Sequence, residues 1–121
     1  MKTILVIEDN SDILENTTEI LELANFKVLN AKNGKEGIDE AMKSKPDVIL
    51  CDIMMPEASG YEVLLGLKKN PITKNIPFIF VTATVEKKDV NNAMDMGADG
   101  YLKKPFEIED LLKIVRSFIK D

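Results

Sequence analysis

Short apolar runs alternate with longer segments of helical period along this chain. Continuous runs fall at residues 4–7 (ILVI), 48–51 (VILC) and 78–81 (FIFV). They are rich in β-branched and aromatic residues and are bounded by turn formers, the pattern of strands buried on both faces. Residues 26–30 (FKVLN) are more mixed and read as an edge strand, and residues 100–102 (GYL) make a short fifth candidate. Between the runs, apolar positions recur at helical spacing. Ile13, Thr17, Ile20, Leu21 and Ala24 form one stripe, and Ile38, Ala41 and Met42 a second. Val63, Leu64 and Leu67 form a third, Val90, Ala93 and Met94 a fourth, and Ile108, Leu111, Leu112, Val115 and Ile119 a fifth. Each stripe needs a partner surface, and the residues between are mostly charged or polar.

The punctuation agrees. Asn10 or Ser11 can cap the first helix, and Asn33 the second. Gly97 is placed to end the fourth helix in a left-handed conformation. Pro46 and Pro77 precede the third and fourth strands and stop backward extension of a helix. Strand–helix alternation with short connections predicts an α/β fold: a doubly wound parallel sheet of five strands, flavodoxin-like (βα)5, with helices on both faces. The edge-like second strand favours the order 2-1-3-4-5. No linker or low-complexity segment interrupts the pattern, so residues 1–121 read as one domain.

Composition narrows the function. The 121 residues are 45% hydrophobic and 31% charged, with a net charge of −5. The acidic balance argues against a direct nucleic-acid partner. One cysteine, Cys51, and no histidine are present. No internal disulfide can form, which points to a reducing cytoplasm. The usual zinc sites and the Ser-His-Asp and Cys-His mechanisms are excluded, so any metal is hard and oxygen-bound. The N-terminal apolar run is too short for a signal peptide, and no stretch approaches the about 18 apolar residues of a membrane span.

The acids are where the chemistry lies. In a doubly wound sheet, ligands bind beyond the carboxyl ends of the strands, near the switch point between strands one and three. Strand one ends in Glu8-Asp9 and strand three in Asp52. Crowded carboxylates raise one another's pKa unless a cation binds there. Three of them with carbonyl or water oxygens suit Mg²⁺. Strand four ends in Thr82, and Lys104 follows strand five. A hydroxyl, an ammonium and a divalent ion around one carboxylate would neutralise a phosphoryl group, with Asp52 as nucleophile. Taken singly these residues are ordinary: Glu8-Asp9 as a helix cap, Asp52 as a turn former, Thr82 as a strand end, Lys104 as a surface charge. Cys51 alternates away from Asp52 and reads as an inert core thiol. What favours the functional reading is that all four elements fall on one edge of one sheet.

The segments ILVIEDN, PDVILCDIMMPEASGYEVL, IPFIFVTAT and GADGYLKKPF, in this order and spacing, resemble the receiver domains of two-component response regulators over essentially the whole chain. The resemblance implies a signalling switch that catalyses only its own phosphorylation and dephosphorylation. Asp52 would accept phosphoryl from the phosphohistidine of a histidine kinase or phosphotransfer protein. Asp9 would bind Mg²⁺ directly, Glu8 through water, with Asp52 and the Met54 backbone carbonyl completing the protein ligands. Lys104 would pair with the acids and then with the phosphoryl oxygen, and the Lys104–Pro105 bond would be cis. Thr82 and Tyr101 would be the switch pair. A downstream protein would read the surface of the fourth helix, fifth strand and fifth helix, with no nucleic acid or membrane contacted directly. The chain would be either a stand-alone receiver or a piece of a longer regulator. Met54 and Thr84, each two positions past a key residue, would tune phosphoryl lifetime; the Met54 side chain cannot orient an attacking water and Thr84 can do so only weakly, so slow autodephosphorylation is expected.

Three other functions compete. A phosphatase with an aspartyl nucleophile usually has a second Asp where Met54 stands. A nucleotide or flavin module would have a Gly-rich first turn, where this chain has IEDNSD, which repels phosphates without Mg²⁺. A phosphorylation-independent interaction domain would not require the intact acid and lysine set.

Overall fold

The structure is a computed structural model and describes residues 1–83 and 86–119. Thr84, expected to tune phosphoryl lifetime, lies outside the described residues. Strands and helices alternate: β1 (Thr3–Ile7), α1 (Ser11–Leu23), β2 (Lys27–Ala31), α2 (Gly34–Ser44), β3 (Val48–Asp52), α3 (Gly60–Lys68), β4 (Phe78–Thr82), α4 (Lys87–Asp95), β5 (Gly100–Lys103) and α5 (Ile108–Phe118). The strands form one parallel sheet in the order β2-β1-β3-β4-β5, the doubly wound order implied by the sequence.

Burial explains the order. Every residue of β3 and β4 is buried, so both must lie inside the sheet with helices on each face. β2 and β5 keep exposed or half-buried positions and take the two edges. Period-two alternation then sorts side chains into two cores. Leu5, Ile7, Ile49, Cys51, Phe78 and Phe80 pack with Ala41 of α2 and with Val63, Leu64 and Leu67 of α3. Ile4, Val6, Val48, Leu50, Ile79 and Val81 pack with Leu14 and Leu21 of α1 and with Leu111 and Val115 of α5.

The helix ends follow local chemistry. The Asn10 side chain accepts from the Ile13 N–H at 3.0 Å, and Asn33 accepts from Glu36 at 2.9 Å. Asn33 also donates to the Glu36 carboxylate at 2.7 Å, so that N-terminus is closed on both sides. Gly97, just past α4, has φ 109°, where a Cβ would be strained. Two stripes are less covered than their period suggests. Met94 of α4 is 43% exposed and Ile108 of α5 55%. Ile119 is buried but lies beyond the last turn of α5, in extended backbone. Leu14, which the first stripe omitted, is buried.

Candidate functional site

The site forms where β1, β3, β4 and β5 end together. Ile7 pairs with Cys51 across β1 and β3, so Glu8 and Asp52 leave neighbouring strand ends. The Lys104 N–H donates to the Thr82 carbonyl at 2.7 Å, which carries the β4–β5 ladder one step further and fixes the lysine backbone. The Lys104–Pro105 bond is cis.

One carboxylate oxygen from each of Glu8, Asp9 and Asp52 lies within 4.8 Å of the other two. Glu8 and Asp52 are buried and Asp9 is exposed. The Lys104 ammonium donates to Glu8 Oε1 at 2.6 Å and lies 3.4 Å from Asp52 Oδ2. The second Glu8 oxygen accepts the Asn10 N–H at 3.2 Å. Despite these donors the Glu8 carboxyl is pushed above its ordinary pKa, first by burial and further by the Asp52 charge, with Lys104 and Asn10 opposing. One ammonium among three acids is a deficit of positive charge. Hard oxygens that share so small a space fit a divalent ion such as Mg²⁺ on the chemistry of the donor set alone.

Asp52 is held from both sides of its backbone. A Cβ on Gly60 would come 2.3 Å from the Asp52 carbonyl oxygen, so the first turn of α3 approaches this strand end only because residue 60 is glycine. The Gly60 N–H donates to the Ile53 carbonyl at 2.8 Å, and Ser59 caps the helix through the Glu62 N–H at 3.4 Å. Neither Ser59 nor Gly60 was singled out from the sequence. Their signal was present, since residues 59–62 read Ser-x-x-Glu, a capping box. Cys51 points into the core, fully buried, with its thiol donating to the Asp52 carbonyl at 3.1 Å. Burial, then the charges of Asp52 and Glu8, push that thiol well above its usual pKa, so it stays protonated and inert.

Thr82, 1% exposed, ends β4 on this rim. Tyr101 is half-buried one strand away, its ring on the core face that holds Phe80. Burial raises the Tyr101 phenol, Tyr61 raises it further, and a hydrogen bond with the Thr82 side chain pulls it back. Met54, two residues past Asp52, is 77% exposed. An open hollow of about 540 Å³ adjoins Lys104, walled by Asp12, Ile13, Asn16, Ala83, Pro105 and Phe106. Among the described residues, no helix is long and apolar enough to cross a membrane.

Known proteins share this fold. The chain is 32% identical over 120 residues to the polar-differentiation response regulator DivK of Brucella anthropi, covering 99% of this chain and 98% of that one. It superposes on the chemotaxis protein CheY4 of Vibrio cholerae with a TM-score of 0.94 at 28% identity, over 98% of this chain and 99% of that one. It also superposes on the receiver domain of the sensor histidine kinase PA1611 of Pseudomonas aeruginosa, whose structure has a magnesium ion coordinated in the active-site cleft. The TM-score there is 0.90 at 26% identity, over 97% and 96% of the two chains. The chain spans about half the length of several other curated relatives, transcriptional regulators among them. The model of the response regulator receiver domain matches residues 4–116, and with it the chain belongs to the receiver family of two-component signalling.

Proposed function

We propose that residues 1–121 form one receiver domain that acts as a phosphoacceptor switch with Asp52 as the acceptor. The observation that carries this reading is the buried Asp52 carboxylate lying with Glu8, Asp9 and the Lys104 ammonium at one strand rim. An Asp52 oxygen attacks phosphorus as the phosphohistidine N–P bond breaks, and the freed imidazole nitrogen takes up a proton. The donor is a histidine kinase or phosphotransfer protein, which approaches through the open hollow beside Lys104. Glu8, Asp9, Asp52 and the Met54 carbonyl would hold Mg²⁺, which when bound neutralises acid and phosphoryl charge.

Lys104 turns from the acids to the transferred phosphoryl oxygens and stabilises their charge. Thr82 donates its hydroxyl to the phosphoryl group. That breaks its hydrogen bond with Tyr101, and Tyr101 repacks inward. The phosphoryl group brings nearly two negative charges, enough to bias a two-state element at α4, β5 and α5. A downstream protein reads that surface. Half-exposed Met94 and Ile108 on α4 and α5 are consistent with a face kept available for one. The domain catalyses its own phosphorylation and dephosphorylation and works in the cytoplasm, in keeping with its lone buried thiol.

The test is incubation with Mg²⁺ and acetyl phosphate, followed by intact mass. An adduct of about 80 Da, the mass of one phosphoryl group, is expected in the wild type and absent in Asp52→Asn. Steady turnover of a small phosphoester would instead make the protein a phosphatase.

A further inference from the structure

Thr17 is the polar member of the buried stripe of α1. The buried residues of that helix are Leu14, Thr17 and Leu21, and Thr17 is only 4% exposed. Its hydroxyl makes no hydrogen bond to another described residue. A threonine inside a helix often returns its proton to the carbonyl four residues back. A buried hydroxyl without a partner is costly, and such groups call for a ligand or an ordered water.

Period-two alternation says what Thr17 covers. Val6 and Leu50 point to the α1 face of the sheet, where they pack with Leu14 and Leu21. The next positions of the same parity are Glu8 and Asp52, so both buried carboxylates leave their strand ends on that face. A small cavity of about 10 Å³ lies there. Thr17, Glu8 and Asp52 wall it, with Val6, Leu50 and Val81 among its apolar sides. That is about the room of one water molecule. Cavities that stay dry are apolar, whereas this wall brings one hydroxyl and two carboxylates.

The acids are short of donors. Lys104 donates to one Glu8 oxygen and the Asn10 N–H to the other. Among the described residues the Asp52 carboxylate has only the Lys104 ammonium, 3.4 Å from Oδ2. A buried water typically makes about three hydrogen bonds. We infer that this cavity binds one water, which accepts the Thr17 O–H and donates one proton to each of the Glu8 and Asp52 carboxylates, and that Thr17 acts through it as a positioning residue of the acids. Hydrogen-bonded partners behind metal-binding carboxylates hold them in the ion-binding arrangement. The water site needs only the cavity, whereas its effect on Mg²⁺ rests on the reading of Glu8, Asp9 and Asp52 as ligands of that ion.

Thr17→Val keeps the shape of the side chain and deletes the hydroxyl, whereas Thr17→Ser keeps the hydroxyl. Crystals of the full chain and of both variants, grown without divalent ion, are compared at a resolution that shows ordered water. Mg²⁺ binding is followed by calorimetry. Expected is a density peak within hydrogen-bond reach of Thr17 Oγ1, Glu8 and Asp52 in the wild type, kept in Thr17→Ser and lost in Thr17→Val. Mg²⁺ binds Thr17→Val about two- to tenfold more weakly than the wild type, the worth of one hydrogen bond, and Thr17→Ser as the wild type. Absence of the peak in the wild type would overturn the inference, and so would an unchanged peak in Thr17→Val. Equal Mg²⁺ affinity in wild type and Thr17→Val, or equal losses in both variants, would overturn the positioning role by reducing Thr17 to packing. A wild type that binds no Mg²⁺ would defeat the reading of the acids as ion ligands, and the density would still decide the water.

Discussion

The two rims of the sheet use the same residue type in opposite ways. At the amino-terminal rim, Asp47 and Asp99 each precede a strand and start its ladder. The Asp47 N–H donates to the Thr3 carbonyl at 2.8 Å while its carboxylate accepts the Thr3 N–H at 2.7 Å. Asp99 repeats this with Phe78, at 2.8 Å both ways, and adds Lys68 at 3.6 Å. At the carboxyl-terminal rim, Glu8, Asp9 and Asp52 converge instead, and Lys104 serves two of them. Where a carboxylate has its own donors it is architecture. Where several share too few donors, the charge is left for a ligand to complete. The donor-to-acid ratio separates structural from reactive aspartates in this one sheet.

The largest expected difference between the rims is all-or-none. Asp52→Asn forms no phosphoryl adduct with acetyl phosphate and Mg²⁺, whereas Asp47→Asn and Asp99→Asn form it in full. Intact mass decides the matter, and loss of the adduct in either amino-terminal variant would erase the distinction.

Next in size is Lys104→Met. It removes the cation that the described residues place on the crowded acids and leaves buried charge uncompensated. A loss of about 3 kcal/mol is expected in urea unfolding without divalent ion. Added Mg²⁺ should recover more stability in this variant than in the wild type. If Lys104→Met unfolds like the wild type in chelator, crowding at this rim has no energetic consequence and the comparison fails.

At the satisfied rim the effect is smaller and of another kind. Asp99→Ala and Asp47→Ala each strand one backbone N–H at a strand start, at about 1–2 kcal/mol. Asp99 should lie at the low end, since its side chain is 39% exposed and its ion pair with Lys68 is screened by water. Thermal melts measure the loss, and adduct yield at a temperature where both variants are folded should stay at the wild-type level.

Much of this contrast was legible before any coordinates. The inner strands stand out because burial on both faces demands unbroken apolar runs. Asp52 stands out because it follows such a run, where a parallel sheet opens its crevice, while Asp47 and Asp99 precede theirs. Period alone could not say how far a helical stripe is covered, so Met94 and Ile108 joined stripes they share with buried neighbours although both are exposed. β2 was set one residue early and the other four strands one residue short, because the ladder runs a residue past each apolar run. Ser59 and Gly60 were readable but passed over behind the louder Asp52. Tyr61, whose ring meets Phe80 edge-on, was not readable, because that contact depends on how α3 sits over β4, which no local pattern encodes.

The smallest prediction sharpens the reactive rim itself. Met54, two residues past Asp52, is 77% exposed, so its side chain is open to water. A thioether has no proton to donate and accepts only weakly, so it cannot orient a water for attack on an aspartyl phosphate. Asparagine there adds both a donor and an acceptor. Met54→Asn should shorten the life of the phosphorylated protein about threefold, the worth of a weak hydrogen bond of about 0.7 kcal/mol in the transition state. Thr84→Glu should act in the same direction. Decay is followed by intact mass after the phosphodonor is removed, with folding checked by thermal melts. Wild-type decay as fast as in both variants would mean that the exposed methionine places no limit on water, and that phosphoryl lifetime is set elsewhere on this rim.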